Sequence, residues 1–225
     1  MPADEKTERS LFTLLLVCVA LVLLFCVIAV AISQNITMPF DRATLLMFRK
    51  PGMPAQALGP AWLTDAVRNI TALGSYPLLV FFTLASAGYL FLDRKRNAAM
   101  FVLVAVGGGI ALSQGLKFVF ARPRPDVVPA LADTFTSSFP STHAVLSAVV
   151  YLTLGALLAQ IEATTPAIKR YFLGLAVGLT FVIGITRVYL GVHYPTDVLA
   201  GWCIGAAWAI AAWTLALFLQ RRRRI

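Results

Sequence analysis

Charge is scarce in this chain, and acid is scarcer than base. Of 225 residues 13% are charged, with 10 Asp or Glu against 19 Lys or Arg, while 59% are apolar and the mean hydropathy is +0.81. An ordinary soluble domain is roughly 45–50% apolar and about 25% charged, so this excess belongs to a membrane protein. A disordered chain and a soluble nucleic-acid binder are excluded on the same grounds. The three cysteines, Cys18, Cys26 and Cys203, fall in apolar stretches without CxxC or Cys/His spacing. That excludes a disulfide scaffold and a cysteine metal or redox site, and leaves the cysteines as packing residues. There is no internal repeat and no low-complexity tract, and only two histidines, His143 and His193.

What is abundant is long apolar sequence. Six stretches, residues 11–32, 70–92, 98–116, 144–161, 171–186 and 198–219, run nearly free of charge. A helix of about 20 residues crosses a hydrocarbon core about 30 Å thick, and backbone in lipid must satisfy its own hydrogen bonds. The expected fold is therefore all-α, a polytopic bundle of six transmembrane helices, with the whole of 1–225 as one integral membrane domain. Gly174 with Gly178, and Gly201 with Gly205, have the four-residue spacing that lets helices approach closely. The long connection 33–69 carries Pro39, Pro51, Pro54 and Pro60, which exclude a long helix but leave room for short amphipathic pieces such as 41–49. It reads equally as a cover near the mouth of a site and as a spacer.

Six spans put both termini on one side. Lys and Arg accumulate on the cytoplasmic side, and a cytoplasmic N-terminus places the larger share there: Lys6, Arg9, Arg94, Lys95, Arg96, Lys169, Arg170 and Arg221 to Arg224. The other face holds Arg42, Arg49, Lys50, Arg68, Lys117, Arg122, Arg124 and Arg187. Residues 1–32 read as a retained first span, because a secretory apolar region is usually 7–15 residues. The terminal arginine run reads as a cytoplasmic anchor rather than a nucleic-acid or lipid tail.

The remaining polar residues of the outer face concentrate in two segments at span ends. One runs from Lys117 through Arg122, Arg124 and Asp126 to Ser138-Phe139-Pro140-Ser141-Thr142-His143; the other runs from Thr186-Arg187 to His193 and Asp197. Both histidines lie in them. Desolvated charge is costly, so ionisable residues clustered at a membrane boundary mark function. Lys117, Arg124 and Arg187 with few acids nearby suit a multiply charged anion, since Arg offers planar bidentate donors and Lys a point charge. Ser141 and Thr142 open the fourth span after Pro140, where free N–H groups and the helix dipole favour phosphate. An ordinary N-cap is the alternative for Ser141 taken alone. His193 and Asp197, four apart, allow a carboxylate to fix the imidazole tautomer and leave the second nitrogen free as a nucleophile. Capping of the last span explains Asp197 equally well.

Lys117 followed after six residues by Arg124-Pro125, then Pro140-Ser141-Thr142-His143, then Arg187 followed after five residues by His193 and after three more by Asp197, resembles the three-part signature of the type 2 phosphatidic acid phosphatase family. The core of the resemblance is 117–197. It implies a phosphatase using no metal or other cofactor, in which His193 attacks phosphorus, Asp197 orients it, His143 protonates the leaving oxygen, and Lys117, Arg124, Ser141, Thr142 and Arg187 hold the phosphate. A neutral-pH role for a histidine acid fits an ordinary imidazole pKa of about 6.5. Thr142 stands where the family usually has Gly, and Thr186 where it usually has Ser. Arg122 lies outside the register and reads as either a substrate contact or a surface charge.

The implied substrate is a membrane lipid phosphate: undecaprenyl diphosphate, which the reading favours, phosphatidylglycerol phosphate or phosphatidic acid. The setting would be a bacterial inner membrane with the site on the periplasmic face and no nucleic-acid partner. The alternatives are a phosphotransferase passing the group to a lipid or sugar acceptor, a vanadate haloperoxidase, whose relatives are larger and soluble, and a non-enzymatic lipid binder, which would be marked by loss of His193 or Asp197.

Overall fold

Prolines and caps set where the helices begin. The computed structural model describes residues 3–134, 136–161 and 164–222. It contains α1 (Ala3–Ser33), α2 (Met38–Met47), β1 (Arg49–Lys50), β2 (Met53–Ala57), α3 (Ala61–Ala72), α4 (Tyr76–Leu92), α5 (Arg96–Val119), α6 (Thr142–Ile161), α7 (Pro166–Tyr189) and α8 (Pro195–Arg222). Proline stands in the first turn of α2, α4 and α7, where a missing N–H costs nothing, and Pro195 is the first residue of α8. Thr165 caps α7 by accepting the Ile168 N–H at 3.3 Å. Arg223 and Arg224 of the expected anchor lie outside the described residues, as do the side chains of Lys6, Arg9, Arg221 and Arg222.

Among the described residues five helices are long and apolar enough to cross a membrane, and α3 with α4, bent by 43° at a short break, count as a sixth when taken together as one broken span. The expected second span, 70–92, is thus part of a broken one that starts earlier, with the bend at Leu73–Ser75. α6 forms the centre. It is apolar on every side and buried on most, as a helix surrounded by others should be, and packs against α5, α7 and α8, with α1 outside α8. Val145, Leu146, Val149 and Val150 of α6 meet Leu79 of α4 and Val102 and Val106 of α5 in the main core. By contrast α1 exposes Phe12, Leu15, Leu16, Leu23 and Val27, the surface expected against lipid tails.

Only one of the two glycine pairs brings helices together. A Cβ at Gly205 would lie 2.5 Å from the Val145 carbonyl oxygen, and one at Gly201 would lie 2.8 Å from Ala144 Cβ, so α8 meets α6 backbone to backbone. Gly174 and Gly178 face open space. The reason is register: α7 turns Ala176, Thr180, Ile183 and Arg187 inward, which rotates those two glycines outward.

The connection 33–69 is not a featureless spacer. In α2 Asp41 and Leu45, one turn apart, form its buried face, and Leu45 packs on Val128, Ala144, Val188, Tyr194 and Val198. A tight turn at Pro51-Gly52, with Gly52 at φ +73°, then joins β1 and β2 as an antiparallel pair. Arg49 is buried there and donates to the Tyr189 carbonyl at 2.8 Å, so it holds the end of α7 rather than marking a loop surface.

Candidate active site

Four helix ends meet at one end of the bundle: the C-terminal turns of α5 and α7 and the N-terminal turns of α6 and α8. Lys117 lies in the last turn of α5 and Arg187 in the last turn of α7, where the helix dipole favours cations. Ser141 and Thr142 open α6, whose first helical hydrogen bond runs from Val145 N–H to the Ser141 carbonyl at 2.9 Å. The N–H groups of the preceding turn therefore have no carbonyl within the helix to receive them.

The turn that brings His193 to this place is built by Gly191. The Val192 N–H reaches the Arg187 carbonyl at 3.2 Å and the Gly191 N–H reaches that of Val188 at 2.9 Å, with Gly191 at φ +70°. This left-handed helix end delivers His193 beside the helix that carries Arg187. A side chain at Gly191 would strike Arg49 and Val128.

His193 is 2% exposed and Asp197 is fully buried. The imidazole Nδ1 faces Asp197 Oδ2 at 3.6 Å and Ser138 Oγ at 3.4 Å, and Nε2 faces the Arg124 guanidinium at 3.3 Å. Asp197 also accepts a short hydrogen bond from Ser138 Oγ, the Tyr194 N–H at 2.9 Å and Arg122 at 2.5 Å. Burial pulls His193 far below the ordinary imidazole range, to about 3, against the opposing pull of Asp197. It is therefore neutral at physiological pH.

The cations differ in how they are held. Lys117 donates to the Ser137 carbonyl at 2.5 Å; Arg124 donates to the carbonyls of Thr136 at 2.8 Å and Val192 at 2.6 Å; Arg187 donates to Thr71 Oγ1 at 3.1 Å. None of the three has a carboxylate partner among the described residues. Each is oriented by neutral oxygens that leave its charge uncompensated. Ser141 Oγ and Arg187 Nε are buried with no hydrogen-bond partner among the described residues, and buried polar atoms are normally paired. His143 lies within electrostatic reach of Arg187, His193, Lys117 and Arg124. It packs at the α3–α4 bend, where a Cβ on Gly74 would come within 3.1 Å of its ring.

Arg122 is no surface charge. Its side chain is 8% exposed, bridges Asp41 at 2.8 Å and Asp197 at 2.5 Å, and lies 4.2 Å from the Tyr194 ring centre. Burial disfavours its charge, but Asp197 and Asp41 outweigh that and raise its pKa above the usual arginine value. Thr186 turns its hydroxyl back onto the Ile183 carbonyl at 2.5 Å. Asp41, Ser138 and Thr71 also reach the cluster, and no spacing in the sequence pointed to them. Asp41 is separated from Arg122 by 81 positions. The one available signal was the rarity of acids on this face. Among the described residues no three His, Cys, Asp or Glu side chains group as metal ligands.

The model of the PAP2 superfamily matches residues 98–221, which include all of these motifs. Phosphatidylglycerophosphatase B of Bacillus subtilis is 30% identical over 190 residues, 83% of this chain and 88% of the relative. Lipid A 1-phosphatase of Rhizobium johnstonii is 29% identical over 186 residues, 72% of this chain and 71% of the relative. The crystal structure of a transmembrane PAP2 type phosphatidylglycerolphosphate phosphatase from Bacillus subtilis superposes with a TM-score of 0.80 at 28% identity, covering 91% of this chain and 96% of that one. The chain belongs to the PAP2 superfamily and is a membrane lipid phosphatase within it.

Proposed function

We propose that the chain hydrolyses a lipid phosphate through a phosphohistidine on His193. Nε2 attacks phosphorus, the bond from phosphorus to the lipid oxygen breaks, and His143 gives that oxygen a proton. Water then attacks phosphorus, the P–N bond breaks, His143 takes the water proton, and inorganic phosphate leaves. Asp197 holds Nδ1 and balances the charge that develops on the ring. Lys117, Arg124, Arg187, Ser141 and the N–H groups at Thr142 bind the phosphate oxygens and the transition-state charge, the kind of fixed donor set that supplies the largest catalytic contribution in many enzymes.

One observation carries this reading. Two buried cations, Lys117 and Arg187, and the half-buried Arg124, all without carboxylate partners among the described residues, surround a buried neutral histidine, beside Ser141 Oγ and Arg187 Nε, which have no hydrogen-bond partner among the described residues. The net charge left over matches a phosphate dianion. The names of two relatives support phosphatidylglycerol phosphate first and undecaprenyl diphosphate behind it, and phosphatidic acid rests on the motif resemblance alone. The distribution of Lys and Arg supports cytoplasmic termini and a site on the periplasmic face of a bacterial inner membrane. Detergent-purified protein in excess EDTA should release inorganic phosphate from phosphatidylglycerol phosphate faster than from the other two lipids, and His193→Ala should abolish release. Activity surviving in His193→Ala would refute the nucleophile, and activity dependent on a divalent cation would refute the metal-free mechanism.

A further inference from the structure

Asp41 belongs to none of the three motifs, yet its carboxylate is fully buried behind the site. It accepts the Thr196 N–H at 3.1 Å, the Thr196 hydroxyl at 2.7 Å and Arg122 at 2.8 Å. The second arm of the same guanidinium reaches Asp197 Oδ1 at 2.5 Å and the Thr196 hydroxyl at 3.0 Å. One cation is thus shared by two buried carboxylates. The three groups carry one formal negative charge, held against Tyr194 on one side and directed at His193 on the other.

That sharing matters to phosphoryl transfer. If Arg122 paired with Asp197 alone, the two would form a neutral pair, and little of the Asp197 charge would be left for the imidazole. With Asp41 taking part of the guanidinium, the cluster keeps a negative charge in a poorly screened interior, where it acts strongly. The positive charge nearest to it is the one that develops on His193 during attack.

We propose that Asp41 is a positioning residue for the reaction: through Arg122 it keeps the Asp197 carboxylate charged toward His193, and so links helix α2, outside the three motifs, to the rate of phosphoryl transfer. The proposal rests on His193 as the nucleophile. Asp41 touches no reacting atom. If it served only to dock α2, the two bonds from Thr196 and the packing of Leu45 would account for it, and Arg122 would have no need to bridge.

The test uses the full-length purified protein with dioctanoyl phosphatidic acid in detergent, measuring kcat, KM and the thermal unfolding midpoint. Asp41→Asn should lower kcat about tenfold, well short of the roughly 10⁴-fold lost on changing a directly bonded triad acid, with KM within twofold. Arg122→Lys, which keeps a charge but cannot bridge two carboxylates, should do the same. The double variant should be no slower than the slower single variant, because both act through one bridge. An unchanged kcat in Asp41→Asn with a lowered unfolding midpoint, a loss confined to KM, or kcat losses that multiply in the double variant would each overturn the proposal. If Asp41→Asn does not fold, Arg122→Lys decides: a kcat loss at constant KM supports the bridge, and an unchanged kcat refutes it. His193→Ala is run alongside, and turnover by it would refute the nucleophile reading itself, whatever Asp41 does.

Discussion

Arg122 and Arg124 stand two residues apart in the same Arg-Pro-Arg-Pro run, and the fold gives them opposite surroundings. Arg122 points behind the histidine into two carboxylates; Arg124 points to its front, onto backbone carbonyls and Nε2. The first guanidinium is neutralised and the second is not. In a buried site an uncompensated charge is costly, so on the proposed mechanism an unneutralised cation is where the phosphate charge is received. The neutralised one marks where the protein holds its own machinery in place. Base count alone does not separate these roles; the partners do.

Removing a front cation should have the largest effect. Arg187→Ala should lower kcat/KM about 10²- to 10³-fold, as loss of one fixed oxyanion donor does elsewhere, while an Arg122 substitution should cost far less in steady-state assays of folded protein. Equal losses at the two positions would break the comparison. Ser141→Ala removes a hydroxyl with no partner among the described residues. It should lower kcat roughly tenfold, for about 1.5 kcal/mol of hydrogen bonding to a charged group, and leave the thermal midpoint unchanged or slightly higher. A lowered midpoint would show that the hydroxyl serves the fold. Thr71→Val leaves Arg187 without its one side-chain hydrogen bond among the described residues and should cost only a few-fold, chiefly in KM, for about 1 kcal/mol. No effect in kinetics would show that Arg187 is held by packing alone.

The last effect is on stability rather than rate, and concerns pH. His193 is held at about 3 in the fold, against about 6.5 when unfolded. The unfolded chain therefore binds a proton between these values that the folded chain does not. His193 contributes stability that is fully present above about pH 6.5 and is lost progressively as pH falls toward 3. The thermal midpoint of the wild type should fall more between pH 7 and 4.5 than that of His193→Gln. Equal slopes would place the acid sensitivity elsewhere.

Much of this arrangement was legible from the residues. The apolar runs gave the spans because lipid admits few alternatives to helix, and the chemistry of the two polar segments at span ends, with both histidines, marked the residues that the fold gathers at one end. The errors have physical causes. The second span breaks at Leu73–Ser75, which an apolar run does not betray, and that bend carries Thr71 to Arg187 and Gly74 to His143. The spacing of Gly174 and Gly178 matched a packing motif, but spacing does not say which face of α7 turns inward. Asp41 was missed because a contact between distant segments leaves no local pattern. The helix-ending Gly191 was readable in principle, lying just past the last apolar turn with Pro195 beyond it.

The central claim is that His193 takes the phosphoryl group. The most direct measurement is to mix the purified protein with phosphatidic acid labelled with ³²P in its phosphate, quench within the first turnover in alkali, and locate the label by peptide mapping. The expected result is label on the peptide containing His193, stable to alkali, lost in acid and absent from His193→Ala. Label on a serine or on His143, or turnover by wild type and His193→Ala alike, would contradict it.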